Sequence, residues 1–387
     1  MRTGSDIAHR LTQRLNRDAT RIYNRYLNRP NFVGASESNL GQFHVLRPSE
    51  QFEMWRPPNF DDTQWRIFSS AVKSRVPEAR LLDAPNITIL GYDSWPFTSD
   101  GRAIVDLWDQ QGALSERDRL VLMGRPSNDH RATSQHLKGT TVLLNQVVAG
   151  NYYHFVHQIM PRLALVSQHV RLDTIDHFVL PQNVTGFMRA WLALAGIEED
   201  RIRPMTTEGY TCDRAIATSN PGPHNVAPIW SIDYLRGLVP DTSADDVPRR
   251  VFLSRQDAPA RKLLNHNAIE ALLKSYGFEL VLPGKLSIAQ QAALFRHAET
   301  MVSVHGAALA NLVFAHPKLK LIELLPNNHI QPTFWTLGQQ LGLDHQILVG
   351  EEAPLRFERL RRDTKADLSI SADKLEALLI ESGLERV

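Results

Sequence analysis

The sequence predicts an α/β fold whose carboxy-terminal part is a doubly wound, Rossmann-like parallel sheet. Three features carry that expectation. Short apolar strands alternate with helices between Arg250 and Leu325. A looser alternation of the same kind runs from Thr140 to Ala217. Between them lies Pro240 to Pro248, a polar, turn-rich stretch without apolar periodicity, which reads as a linker.

From Asp6 to Arg29 arginines recur at Arg10, Arg14, Arg17, Arg21, Arg25 and Arg29, beside Ile7, Leu11, Leu15, Ile22, Tyr26 and Leu27. That spacing predicts a basic amphipathic helix, an arm that could lie on an anionic membrane, dock on a partner or pack on its own protein. Arg47 to Pro96 is punctuated by Pro and Trp and reads as irregular. Ala103 to Leu114 reads as two short strands around a Gly turn. Thr140 to Val148 follows as a buried strand, then a helix from Tyr152 to Val170 interrupted near Pro161. The short strands Phe178 to Leu180 and Ala215 to Ala217 alternate with a helix from Phe187 to Ala195, which implies a parallel sheet with crossovers.

After the linker the signals sharpen. Arg250 to Leu253 is a strand, and Asn267 to Tyr276 a helix stopped by Gly277. Phe278 to Leu282 is the next strand. Ser287 and Gln290 form a capping box that opens a helix to about Ala298. Met301 to Val304 is a strand ending at His305-Gly306, the helix Ala307 to Phe314 follows, and Leu319 to Leu325 closes the βαβαβαβ run. The division expected is an arm and irregular region over 1–75, a first α/β domain over 76–240 and a second over 249–387.

Composition bounds the function. Hydrophobic residues make up 43% of the 387 residues, enough to bury real cores. The 43 basic and 42 acidic residues nearly cancel, so no global field draws nucleic acid and any anion site must be local. Cys212 is the only cysteine, which excludes an intrachain disulfide. The first residues lack the apolar core of a signal peptide and no long apolar span occurs, so the expected location is the cytoplasm, with peripheral membrane contact open to the basic arm.

In an open α/β sheet, ligands bind beyond the carboxyl ends of the strands. His305-Gly306-Ala307-Ala308 is a small-residue turn there, where a diphosphate could approach the backbone, although such turns also occur for structural reasons. Glu323 lies in the otherwise apolar Leu-Ile-Glu-Leu-Leu strand. A buried carboxylate needs a partner, and a ribose diol or a basic side chain would serve. Arg255, Arg261 and Lys262 follow the first strand of this domain on the same edge, where an arginine fork suits phosphate. A second cluster, Asn151-Tyr152-Tyr153-His154-Phe155 with His157 and Arg162, opens a helix. His154 there could act as a base, as a hydrogen-bond donor or as a structural residue. No His-Glu-x-x-His, cysteine pair or well-placed Asp-x-Asp predicts a metal site; Asp106 and Asp109 sit in the hairpin and Asp245-Asp246 in the linker. Neither a Walker loop nor a Gly-x-Ser-x-Gly elbow is present.

At these clusters the chain resembles glycosyltransferase family 61. Asn151-Tyr152-Tyr153-His154-Phe155 with Pro161-Arg162-Leu163 is similar to the family's Asn-Tyr-x-His-Trp and Leu-Pro-Arg segment. Ser254-Arg255 with Arg261-Lys262 and Asn265 is similar to its Ser-Arg and Arg-x-x-x-Asn segment. Val304 to Leu312 resembles its His-Gly-Ala-Gly-Leu-x-Asn loop, and Leu321 to Leu324 its Ile-Glu strand. The likeness covers about Gly139 to Gly350, with departures at Phe155 for Trp, Ala308 for Gly, and Gln158 where many members carry an acid.

The resemblance implies a GT-B fold, two Rossmann-like domains facing across a cleft, with an acceptor side over 76–240 and a donor side over 249–387. It further implies an inverting, metal-independent hexosyl- or pentosyltransferase of capsular or surface polysaccharide biosynthesis. Its co-substrate would be a nucleotide sugar, UDP-linked, its acceptor a saccharide or glycolipid, and it would need no further cofactor. On that reading His154 or His157 is the base, since the amide of Gln158 cannot accept a proton. Asn151, Tyr153 and Arg162 bind the acceptor; Arg255, Arg261, Lys262, Asn265, His305, Gly306, Ala307, Asn311 and Glu323 bind the donor, Glu323 through its ribose. A pyruvyl transferase on the same architecture and a non-catalytic scaffold in a polysaccharide assembly complex are the alternatives.

Overall fold

The computed structural model describes residues 32–36, 39–72, 75–91, 94–104, 107, 134–146, 148–242, 247–327, 329–351 and 367–387. The basic helix expected over Asp6 to Arg29, most of the Ala103 to Leu114 hairpin with Asp106 and Asp109, and Asp245-Asp246 of the linker lie outside them.

The chain forms an α/β structure with two main sheets. The first takes in β1 (Phe32–Val33), β2 (Gln42–Arg47), β5 (Ala79–Leu90), β6 (Trp95–Phe97), β7 (Ala103–Ile104), β8 (Gln135–Leu143), β9 (His177–Leu180), β10 (Ile202–Pro204) and β11 (Tyr210–Thr218). A separate ribbon pairs β3 (Glu50–Gln51) with β4 (Arg75–Val76). The order of the large sheet is β1-β7-β6-β5-β11-β8-β9-β10, with β2 beside β5.

This sheet is mixed, where the sequence led us to expect a parallel one. β8 runs parallel to β9 and β11, and β9 to β10, but β5 is antiparallel to β11, β2 and β6. For β5, β6 and β7 the cause lies in the connections: a parallel neighbour needs a long crossover, and too few residues separate these strands for one. The stretch expected to be irregular holds β5, twelve residues long, and the helix α1 (Asp62–Ser69), which opens with an Asp61–Gln64 capping box.

The first half continues through α2 (Tyr152–His154), a π turn over Phe155–Ile159 and α3 (Met160–Ser167), then α4 (Gly186–Leu194) and α5 (Ile229–Leu238). Pro161 explains the π turn. Proline has no N–H for the next rung and its ring would meet the carbonyl four residues back, so the helix widens first, with Met160 N–H reaching Phe155 O.

The second sheet is all parallel: β12 (Arg250–Leu253), β13 (Glu279–Val281), β14 (Thr300–Val304), β15 (Lys320–Leu325) and β16 (Asp344–Val349), in the order β13-β12-β14-β15-β16. Its helices are α6 (His266–Lys274), α7 (Ile288–His297), α8 (Thr333–Leu341) and α9 (Ala372–Glu381). The capping box of α7 forms as expected, with Gln290 N–H on Ser287 Oγ at 3.2 Å and Ser287 N–H on Gln290 Oε1 at 2.9 Å. Ala307–Phe314 is a 3-10 helix and not the α-helix expected, tightened by bonds such as Leu309 N–H to Gly306 O at 2.9 Å.

That 3-10 helix joins the halves. Leu309, Leu312 and Val313 are fully buried, each contributing about 1.5–3 kcal/mol. Phe314 stacks on Trp191 of α4, and Arg236 of α5 donates to Val313 O. Across the same seam, Tyr152 Oη donates to Asn311 Oδ1 at 2.9 Å and the His157 Nε2–H to Ala310 O at 2.9 Å. No described helix is long and apolar enough to cross a membrane.

Candidate functional site

The order of the second sheet reverses between β12 and β14, so the loops leaving their carboxyl ends part and leave a crevice. Ser254 and Arg255 leave one strand, His305 and Gly306 the other. Above them the start of α2 closes the space from the first half, and a cavity of about 580 Å³ results.

Eight of the residues singled out in the sequence line it: Arg255, Arg261, His305, Gly306 and Ala307 from the second half, and Asn151, Tyr153 and His154 from the first. The loops add His224, His329 and Gln331, and the start of α8 adds Thr333 and Phe334. None of these five belongs to a periodic pattern; histidines ahead of Asn225 and Ile330 in loops gave no sequence signal.

The two arginines are the charged centre. Arg255 Nη2 donates to Ala260 O at 3.1 Å, but neither its buried Nε nor that of Arg261 has an acceptor among the described residues. Buried donors of native proteins are normally satisfied, so these point to an absent acceptor. Burial, and then the charge of Arg261, pull Arg255 down to about 10, still protonated at neutral pH. Arg261 adopts a left-handed backbone, φ +57°, which costs a non-glycine residue about 1 kcal/mol or more and aims its side chain inward. Gly306 is extended, φ −173°, and its lack of a side chain matters for space alone: a Cβ there would lie 2.8 Å from Arg255 Cζ.

On the facing wall, His154 Nδ1 lies 2.7 Å from Gln158 Oε1, one helical turn on. An amide oxygen only accepts, so Nδ1 carries the proton and Nε2 keeps its lone pair. Gln146 Nε2 donates to the same oxygen at 2.7 Å and fixes its orientation. Burial, then the neighbouring His224 ring at 4.5 Å, pull His154 down to about 4, so it is uncharged at neutral pH, with Nε2 unprotonated. Tyr153 donates to His224 O at 3.0 Å and thereby sets that loop. Asn151 caps α2 by accepting from Tyr153 N–H at 2.9 Å.

The remaining predicted site residues do not reach the cavity. His157 is buried against Ala310 O, and Asn311 bridges Tyr152 and Gln291. Lys262 is exposed, its backbone N–H on Asp367, while Asn265 pins Ile370 through both its amide atoms. Glu323 lies behind His305: His305 Nδ1–H donates to Oε1 at 2.5 Å and His345 Nε2–H to Oε2 at 3.1 Å, so two imidazoles occupy the oxygens that the sequence reading gave to a ribose.

Arg162 is fully buried and faces away from the cavity. It donates to Gln158 O at 3.0 Å, Asn145 O at 3.3 Å, Gln146 Oε1 at 2.9 Å and Asn220 Oδ1. It therefore holds Gln146 and Gln158 beneath His154. Arg162→Ala is expected to lower stability by about 3–5 kcal/mol, because several buried acceptors lose their donor together. A urea unfolding midpoint unchanged from wild type would show that this network carries no such weight.

Among the described residues no cluster of three His, Cys, Asp or Glu side chains is placed to hold a metal ion.

A family model described as Glycosyltransferase 61 matches residues 152–322, a span that includes His154, Arg255, Arg261 and His305 and ends one residue before Glu323. The chain is also similar to the beta-1,2-xylosyltransferase XAX1 of Oryza sativa subsp. japonica, 29% identical over 122 residues that make up 30% of this chain and 21% of that protein. It thus spans about a fifth of that relative's length. Both likenesses are to glycosyltransferases and support that chemistry for this chain.

Proposed function

We propose that this chain is an inverting glycosyltransferase of the GT-B arrangement, taking a sugar from a UDP-linked donor to a saccharide or glycolipid acceptor in surface polysaccharide assembly. The observation that carries the reading is the meeting of two half-buried arginines, each with a buried Nε that lacks an acceptor, with a neutral, oriented imidazole across one cavity. The diphosphate lies on Arg255 and Arg261 beside Gly306, whose missing side chain leaves room for the Arg255 guanidinium. The acceptor hydroxyl loses its proton to His154 Nε2 as its oxygen bonds to the anomeric carbon. The bond from that carbon to the phosphate oxygen breaks, and the charge left on the diphosphate falls where the arginines stand. A single in-line displacement inverts the anomeric centre. Arginines supply the positive charge, so we assign no resident metal to the site. The cavity opens between elements of both halves, which supports a cleft between domains, and the chemistry fits a cytoplasmic enzyme with access to nucleotide sugars.

Thermal unfolding with uridine, guanosine, cytidine and thymidine nucleotide sugars tests this first. A ligand at a hundred times its Kd stabilises the native state by about 2.7 kcal/mol, a readily measured rise in Tm. No shift with any of them, together with no release of nucleoside diphosphate in their presence, would refute the reading.

A further inference from the structure

Glu323 is fully buried, and of the two imidazoles that clasp it only His305 reaches the cavity. The arrangement is built in. His345, on β16, fits because α8 carries Gly338 opposite it: a Cβ there would lie 2.6 Å from His345 Nδ1, and a glycine inside a helix costs about 1 kcal/mol relative to alanine. With Nδ1–H held on the carboxylate, the other nitrogen of His305, Nε2, is the one available to a ligand.

The groups around His305 pull in opposite directions. Glu323 on β15 favours imidazolium. Arg255 and Arg261, from the loop after β12, oppose it, as does burial. His329, whose ring lies 5.5 Å away, and the Phe334 ring at 5.1 Å complete its surroundings, while His345 shares the carboxylate and His154 and His224 stand in the facing wall. Without a bound anion burial and the arginines prevail, and His305 is lowered from its usual value. A diphosphate reverses the balance, because its charge cancels that of the arginines and leaves Glu323 unopposed.

We propose that His305 takes up a proton from solvent when a diphosphate enters, with Glu323 as the buried counter-charge, so that an imidazolium joins Arg255 and Arg261 as the third cation on the leaving group. The incoming proton goes to Nε2 and Nδ1–H stays on Glu323; no covalent bond changes. Glu323 acts here through His305 as a positioning residue. The inference rests on the cavity being the donor site.

The test is calorimetry with UDP-glucose between about pH 5 and 8, where imidazole titrates, in paired buffers of different ionisation enthalpy. UDP-glucose is the right probe because both its phosphates are diesters, whereas the terminal phosphate of UDP itself titrates near about 6. The expected result is net proton uptake on binding, with affinity rising by up to about tenfold per unit as pH falls from the raised value of the complex to the lowered value of the free protein. In Glu323→Gln the uptake and the pH dependence should disappear. Nitrogen-15 NMR of histidine-labelled wild type, with His305 assigned by the signal lost in His305→Gln, gives the same answer without altering Glu323: its Nε2 should move to the imidazolium position on saturation. Binding without proton uptake, equal uptake in Glu323→Gln, or a His305 signal that stays neutral would overturn the inference and leave the donor site standing. If neither UDP-glucose nor inorganic pyrophosphate binds, the donor site falls and the inference with it.

Discussion

His154→Ala is expected to lower kcat by about 10²–10⁴-fold, the usual weight of a general base, with KM for the nucleotide sugar little changed. The split follows from geometry: His154 lies on the wall opposite the two arginines, so its removal should leave donor binding intact. Gln158 sharpens the prediction. Its oxygen holds Nδ1–H and favours the protonated ring somewhat, but it carries no charge, so burial and the neighbouring His224 prevail and the imidazole sits at about 4. For a base that must be unprotonated, kcat/KM falls only as pH drops through the free-enzyme value, so His154 should impose no acid limb until well into the acid range. Gln158→Glu replaces the amide by a carboxylate at 2.7 Å from Nδ1, which raises the His154 pKa and moves the acid limb toward neutrality. Profiles of kcat/KM against pH for the two proteins read this directly. An acid limb that does not move, or His154→Ala turning over within tenfold of wild type, would remove His154 from the reaction.

The relation between His154 and Gln158 was partly open to sequence reasoning. A spacing of four residues puts two side chains on one helix face, yet the sequence presents Gln158 only as a missing acid, and its role as an oriented acceptor depends on Gln146 and Arg162 arriving from elsewhere. The same limit explains Glu323, Asn311 and Asn265. Glu323 was legible as a polar group in apolar surroundings that must find a partner, and Asn311 and Asn265 through the family likeness alone, but nothing local says whether the partner is a ligand or another part of the chain. For all three the structure supplies the side chain or the backbone.

The inner strands β12, β14 and β15 were readable because they are largely buried and appear as mostly apolar runs, whereas the edge strand β16, opening with Asp344-His345-Gln346, gave no such signal and was not expected. β5 hides for the opposite reason. Asp83, Pro85 and Asn86 interrupt it, and Asp83 is tolerated only because Arg214 and His169 meet its carboxylate from β11 and the end of α3. The π turn was visible only as a disturbance at Pro161, since the widening falls in the residues before the proline.

Arg255→Ala should cost about 10²–10³-fold in kcat, because the charge that appears on the leaving diphosphate loses a donor placed for it in a water-poor site. Arg255→Lys should recover little, since an ammonium lacks the planar fork that grips two oxygens at once. Melting of the protein without ligand gives an independent sign. Arg255 is half-buried beside another cation and its buried Nε meets no acceptor, so removing it should leave the Tm of the unliganded protein unchanged or raise it, while the Tm shift produced by a nucleotide sugar shrinks. Gly306→Ala should fall between wild type and Arg255→Ala on both measures: the backbone there accepts any residue, but the added Cβ displaces the guanidinium without removing its charge. A purely structural arginine predicts the reverse order, with unliganded stability lost and the ligand-induced shift preserved, so two melting curves per variant decide between a cation kept for the leaving group and one kept for the fold.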